Sequence, residues 1–381
     1  MGTDFCGITN DDDRTIDSPL TILDQMEIKH RCGEENWYQK RRDAFPAQEA
    51  PEVREAVVLP LDMLKAAQRS PLESFIPEEA PLFPGGARAI GQQRPDYLRR
   101  FNGRKVIPLN VTQIFNGESR QVYRDTNFPW VCIGRLFRPD GNWGTATLVG
   151  RSLILTASHV LAGLWQPGQP LTQRITFIPA CFDNVSLLGS DWTSQVVNIA
   201  AWETIQSIDG YDMAICQLDK PMGEWLGHLG ARTYDDDWED RAVWAHVGYP
   251  YDLSMGGQRP TFELGISVHD DDSDSYDTLE IETKADGASG RSGGPLWGVF
   301  RNGGHQVIGT LSGIEDNFAE AKNTLFAGGN GLGTSSAGVA ITGIEGYLTE
   351  SVRSLLLNFV LAGSGLALEF VSPPNKSRKI G

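Results

Sequence analysis

A chain of 381 residues is long enough to bury a substantial core and exceeds the usual size of a single domain. Its hydrophobic fraction of 40% and charged fraction of 22% are those of a globular protein, and 42 glycines with 21 prolines favour many turns around an all-β core over long helices. The formal net charge of -16 repels phosphate backbones and anionic headgroups, so nucleic acid is not an expected partner.

From Met1 to Lys105 the chain is charged and rich in proline, and its only clear helical pattern runs from Glu52 to Gln68; residues 1–110 therefore read as an N-terminal extension. The residues from Met1 to Arg14 lack the basic start and apolar run of a secretory signal, so the sequence carries no visible export address. After Val106 the texture changes to short apolar or alternating runs separated by turn residues. Trp130–Phe137, Thr145–Val149, Leu153–Thr156, Ile175–Pro179, Val196–Ala201 and Met213–Leu218 are the strands of a first barrel, over residues 111–225. Ala242–Val247, Glu263–Val268, Thr278–Thr283, Leu296–Phe300 and Val307–Leu311 supply a second, over residues 240–345. A helical pattern from Ser351 to Ala362 closes the domain at residue 362, followed by a tail over 363–381. Leu355–Leu361 is too short and too interrupted to span a bilayer. The acidic stretches Asp235–Asp237 and Asp270–Asp277 lack the spaced ligands and central glycine of a calcium loop, and the five cysteines show no metal-ligand spacing and no readable disulfide framework.

The sharpest chemical signal is Gly290-Arg291-Ser292-Gly293-Gly294-Pro295. A glycine-bounded serine on a tight loop leaves its hydroxyl exposed while neighbouring amides, here those of Gly290 and Ser292, face a reacting carbonyl. Serine is a weak nucleophile without a base, and Leu155-Thr156-Ala157-Ser158-His159-Val160 puts His159 directly after an apolar strand. Asp212 enters the apolar run Met213-Ala214-Ile215, where burial would orient an imidazole and stabilise its charged form. Each motif taken singly has a bland reading: a flexible turn, a packed histidine, a turn aspartate. Their conjunction in the order His, Asp, Ser marks His159, Asp212 and Ser292 as a candidate catalytic triad.

Through T-A-S-H-V, D-M-A-I and G-R-S-G-G-P the chain resembles the chymotrypsin-like serine proteases, most closely the bacterial glutamyl endopeptidase-like branch, over about Val111 to Ala362. Glu118-Ser119-Arg120-Gln121-Val122, then Asp125-Thr126 and Pro129, also looks like the start of the mature domain in that branch, which makes the preceding segment resemble a propeptide. The resemblance implies two antiparallel Greek-key barrels with the triad across the cleft between them, and a serine endopeptidase that hydrolyses peptide bonds through an acyl-enzyme. Its oxyanion hole would be the Gly290 and Ser292 amides, it would need no cofactor or metal, and it would act as a monomer on protein or peptide substrates. The family context also suggests a secreted protein.

Several positions depart from that pattern. Arg291 stands where the pancreatic enzymes have an aspartate that captures a newly cut amino terminus, and Val160 where they have a cysteine. Asp286, six residues before Ser292, matches the acidic pocket base of trypsin-like enzymes and would suit Lys or Arg beside the scissile bond; Ser312 and Gly313 would line the same pocket. Leu311 occupies the position of the histidine on which glutamate specificity relies, so glutamate preference is not expected. Ile314 and the insertion Glu315–Gly333 could instead narrow the cleft of an inactive two-barrel binding module. Gly290-Arg291-Ser292-Gly293-Gly294 also fits the elbow of the α/β-hydrolases, but there the serine precedes its acid and histidine, whereas here it comes last.

Overall fold

The computed structural model describes residues 18–28, 30–34, 36–46, 56–58, 73–83, 87–91, 112–113, 118–166, 169–201, 212–232, 234–273, 279–316 and 332–337. The end of the extension from Arg104 to Val111, the terminal helix over Ser351 to Ala362 and the tail lie outside them. The described residues form an all-β protein with little helix.

In the first barrel, β1 (Ile133–Phe137), β2 (Trp143–Gly150), β3 (Leu153–Thr156), β4 (Thr176–Pro179), β5 (Ser194–Ala201) and β6 (Ala214–Leu218) pair antiparallel in the ring β5-β6-β3-β2-β1-β4. The ring closes because β5 also pairs with β4, Ser194 opposite Phe177. Three consecutive strands followed by three that return in reverse order make a Greek key. Closure pairs the Ser194–Gln195 end of β5 with β4, and β3 is buried along its whole length. Leu148, Ile154, Leu155, Ile199 and Ile215 are all at most 2% exposed, which fits short runs of β-branched and aliphatic residues packed face to face inside a small barrel.

The second barrel uses β7 (Trp244–Gly248), β8 (Thr261–Ile266), β9 (Val268–Ser273), β10 (Leu279–Thr283), β11 (Pro295–Val299), β12 (His305–Asp316) and β13 (Leu332–Ala337). Its ladder runs β9-β10-β13-β12-β11-β7-β8, and the two ends of that path, β8 and β9, are consecutive in the chain through Ser267. Trp130, Tyr123, Phe262 and Trp297 meet edge to face at centroid distances of 5.5–5.8 Å, filling the interior with aromatic area. The insertion read between Glu315 and Gly333 starts and ends as paired strand, with Glu315 opposite Gly333 and Asp316 opposite Leu332.

Sequence-read and observed strands share their cores and differ at their ends. Trp130–Cys132 is a 3-10 turn leading into β1, and β12 runs on past Leu311 to Asp316. The helical reading over Glu52–Gln68 fails at Ala56–Val58, which is a strand paired parallel with Ile199–Ala201 of β5. Two adjacent valines suit a pleated edge better than a helix, and a strand partner decides the matter.

The described part of the extension is packed on both barrels. Helix α1 (Ile22–Glu27) starts in a capping box between Thr21 and Asp24, and its buried Gln25 donates Nε2 to the carbonyl of Val243. Leu20 N donates to Val299 O at 2.7 Å. From α2 (Trp37–Ala44), Tyr38 donates its hydroxyl to Thr126 O at 2.6 Å, and Arg41 pairs with Glu224 at 3.0 Å. Further on, Ala89–Gly91 pairs antiparallel with Gln121–Tyr123, which itself lies beside β8. Among the described residues no helix is long and apolar enough to cross a membrane.

His305 opens β12 at 3% exposure, with its ring against Phe128 and Trp297. Burial lowers its pKa to about 4. Because the unfolded histidine titrates near 6.5, the neutral form's contribution is complete above that pH and is lost as pH falls towards 4. Replacing His305 with Phe should remove that loss, on the order of 3 kcal/mol, from the pH dependence of unfolding. Urea titrations at pH 7 and pH 4.5 check it: an unchanged wild-type to variant difference at the two pH values contradicts the expectation.

Candidate active site

Three loops meet between the barrels. Antiparallel pairing of β6 with β3 sets Ala214 opposite Thr156, so the residues just before β6 and just after β3 share one rim of the first barrel. Asp212 and His159 are those residues. The third loop, Gly290 to Gly294, precedes β11 of the second barrel.

Asp212 is fully buried. Its Oδ2 lies 2.5 Å from His159 Nδ1 and accepts the Ser312 hydroxyl at 2.5 Å, while Oδ1 accepts the His159 amide and the Ser158 hydroxyl, each at 2.8 Å. Burial pushes the carboxyl pKa up, but the His159 ring, the Ser312 hydroxyl and the His159 amide outweigh it and hold Asp212 below the usual carboxylate range. His159 faces it with a side chain that is 32% exposed, so one ring edge is fixed by Asp212 and the other is open to solvent. With Nδ1 donating to Asp212, the free ring nitrogen is Nε2, an acceptor in the neutral ring.

The serine loop is held against the same rim by its backbone. Ser292 O accepts the Thr145 amide at 2.8 Å, and Thr145 Oγ1 donates to Gly290 O at 2.9 Å while accepting the Tyr249 amide at 3.1 Å. Gly293 has φ +80, and a Cβ there would sit 2.2 Å from Thr156 Oγ1 and 2.8 Å from Ala157 N. Only glycine lets the serine loop press this closely on the strand that carries His159. Gly290 has φ +92, a left-handed conformation that turns the loop before Ser292. Among the described residues the amides of Gly290 and Ser292 donate to no protein acceptor, and no hydrogen bond joins the Ser292 hydroxyl to His159. Such nucleophile-to-base contacts are often loose before substrate binds.

Two expected pocket residues are placed differently. Ser312 spends its hydroxyl on Asp212. Asp286 is fully buried, accepts the Ser119 amide at 3.2 Å and the Ser119 hydroxyl at 3.1 Å, and lies 4.0 Å from Arg120 Nε. It sits inside a charged cluster with Ser119, Arg120 and Glu263. Gly313 lies in β12 opposite Ser335 of β13. The sequence reading missed Ser158 and Thr145. A serine beside a histidine is a faint signal for the first, but Thr145 is a strand residue whose value depends on a loop about 145 residues away. Val160 packs on Gly144, where a Cβ would meet its Cγ1 at 2.5 Å.

No protein-family model matches the chain, and no curated protein matches it. Among solved structures it is similar to a Glu endopeptidase determined in complex with MPD, at 17% identity and a TM-score of 0.46, over 65% of this chain and 99% of that one. It is also similar to the protease Anisep from Arthrobacter nicotinovorans, at 19% identity and a TM-score of 0.38, over 57% of this chain and 92% of that one. At such identities and overlaps neither match bears on activity.

Because the folded pKa of Asp212 is depressed, its ionised form contributes stability that is present above the unfolded value of about 3.9 and is lost as pH falls below it. The difference in melting temperature between the native protein and Asp212→Asn should therefore be largest near pH 7 and shrink below about pH 4. A difference that stays constant from pH 7 to pH 3 would contradict the assigned direction.

Proposed function

We propose that the protein is a serine peptidase that hydrolyses peptide bonds with His159, Asp212 and Ser292. The observation that carries this reading is the locking of His159 by the buried, multiply bonded Asp212, with the Ser292 backbone fastened to the same rim through Thr145. A surface histidine needs no buried carboxylate, and a flexible Gly-Ser turn needs no cross-barrel bond to its serine carbonyl.

In this proposal the Ser292 hydroxyl attacks the scissile carbonyl carbon as His159 Nε2 takes its proton. The carbon–oxygen π pair moves to the carbonyl oxygen, and the oxyanion is received by the free amides of Gly290 and Ser292. Collapse breaks the carbon–nitrogen bond, His159 returns the proton to the leaving amine, and an acyl-enzyme remains. Water then attacks the acyl carbon as His159 takes its proton, the carbon–Oγ bond to Ser292 breaks, and His159 returns the proton to Ser292 as the carboxylic acid leaves. Asp212 keeps Nδ1 protonated and stabilises the transient imidazolium without itself accepting a proton. The chemistry requires no metal or cofactor, and the proposed substrates are proteins or peptides. With Asp286 engaged by Ser119, no preference for Lys or Arg is proposed.

Ser292→Ala should abolish hydrolysis while leaving the unfolding transition within about 0.5 kcal/mol of the native value, since a small partly exposed hydroxyl adds little to packing. His159→Ala should be comparably severe, and the double variant scarcely worse than either single one. Casein hydrolysis together with a fluorophosphonate label decides the issue. Turnover by folded Ser292→Ala protein rejects the mechanism, and failure of the native protein to take the label at Ser292 favours an inactive binding module.

A further inference from the structure

Beneath the serine loop lies a buried cluster of charge that the proposed mechanism does not use. Arg291, between the two amides assigned to the oxyanion, is fully buried. Its side chain passes over Gly248, where a Cβ would lie 3.0 Å from each of Arg291 Cα, Cβ and Cγ. At its end the guanidinium donates to the carbonyl of Asp286 and to His246 Nδ1, and its Nη1 is 3.5 Å from Glu263 Oε2. Burial lowers the pKa of Arg291 to about 10, and Glu263 and Asp286 work against that. The bond to Asp286 O closes the stretch 286–291 on itself, fastening the loop that carries Gly290 to its own root.

A second arginine fastens the root to the segment that precedes the first barrel. Ser119 donates its hydroxyl to Glu263 Oε1 at 2.6 Å, and its amide and hydroxyl both reach Asp286 Oδ2. Arg120, also fully buried, pairs with Glu118 at 2.7 Å and with Asp252 at 2.8 Å. Burial alone would depress its pKa, but the hydrogen bonds it donates to both carboxylates raise it above the ordinary arginine value. Residues 118–120 and 286–291 are thus joined through Asp286 and Glu263. Among the described residues the cations that contact Glu118, Asp252, Glu263 and Asp286 here are the side chains of Arg120 and Arg291.

We propose that this internal cluster, with Arg291 as its positioning residue, sets the Gly290 and Ser292 amides in their working arrangement while the chain ahead of Glu118 is still attached. A loop ordered by captured amino terminus is set only after a cut. Here the buried cations are covalently present from synthesis, and the seating of Ser119 and Arg120 needs no free end at Glu118. Competence for acylation is therefore independent of cleavage upstream, and any cleavage there acts on something other than loop order. The inference rests on the peptidase reading of Ser292.

The chain that still carries the residues ahead of Glu118, treated briefly with a fluorophosphonate and read by intact mass, should carry one adduct at Ser292. An adduct confined to chains that have lost the residues ahead of Glu118 overturns the proposal while leaving the peptidase reading in place; no adduct on any form overturns both. Arg291→Met should slow acylation on the order of 10- to 100-fold and lower kcat for p-nitrophenyl acetate with KM unchanged, as expected when oxyanion donors are displaced and binding is not. Arg291→Lys should recover only part of the rate, since an ammonium cannot reproduce the guanidinium fork. Glu263→Gln, which keeps shape and removes the charge, guards against a variant that fails to fold and should slow acylation in the same direction. Native acylation rates in folded Arg291→Met and Glu263→Gln proteins overturn the positioning role.

Discussion

An ionised carboxylate taken out of water loses several kcal/mol unless donors replace its hydration. Asp212 is in that position, fully buried at the rim of the first barrel, and its donors come from the turn after β3 and from strand β12, one in each barrel. His159 and Ser158 follow β3, whereas Ser312 lies in β12 of the second barrel. Charge-assisted bonds worth roughly 1.5–3 kcal/mol each are enough to offset the desolvation only if all are made together. The requirement to satisfy one anion therefore fixes the His159 ring, the turn after β3 and the approach of β12 to the first barrel.

The serine loop depends on the same junction from the other side. Thr145 lies in β2, within the first barrel, yet its amide and hydroxyl bond Ser292 and Gly290 of the second. Its Oγ1 further accepts the amide of Tyr249, just after β7, so one threonine ties β2 to two segments of the other barrel. Around it, Trp143 donates Nε1 to Tyr249 O at 3.0 Å and stacks on Tyr251. A site assembled at the seam of two separately closed sheets has little intrinsic rigidity, and these cross-barrel bonds supply it.

The segment before the barrels contributes to the fold. Strand Ala56–Val58 pairs beside β5, α1 reaches Val243, Leu20 bonds Val299 of β11, and Trp130 Nε1 donates to Phe83 O at 2.8 Å. Buried contacts of this kind hold even if the connecting chain is cut, because hydrogen bonds and packing do not depend on covalent continuity. Sulfur plays a small part: Cys132 and Cys216 are buried free thiols whose pKa values burial raises, Cys216 beyond the range of ordinary reactivity.

Most strands of both barrels were legible because short apolar runs between turn residues carry their own signal, and β3 is the clearest case. His159, Asp212 and Ser292 could be named from local motifs because each needs a particular neighbour in the chain: an apolar strand before the histidine, one after the aspartate, glycines around the serine. The partners of Asp286 were not legible, for the opposite reason. Whether a carboxylate faces solvent or an internal partner depends on Ser119, which is 167 residues away. The helix expected over Glu52–Gln68 yielded to a strand at Ala56–Val58 because the partner β5 outweighed local periodicity. The sequence by itself determined the strand-rich class and singled out three candidate side chains, since these are properties of neighbouring residues. Only the tertiary structure decided that Ser312 serves Asp212, that Thr145 bridges the barrels and that Arg291 turns inward, because hydrogen bonding and burial depend on what the fold brings near.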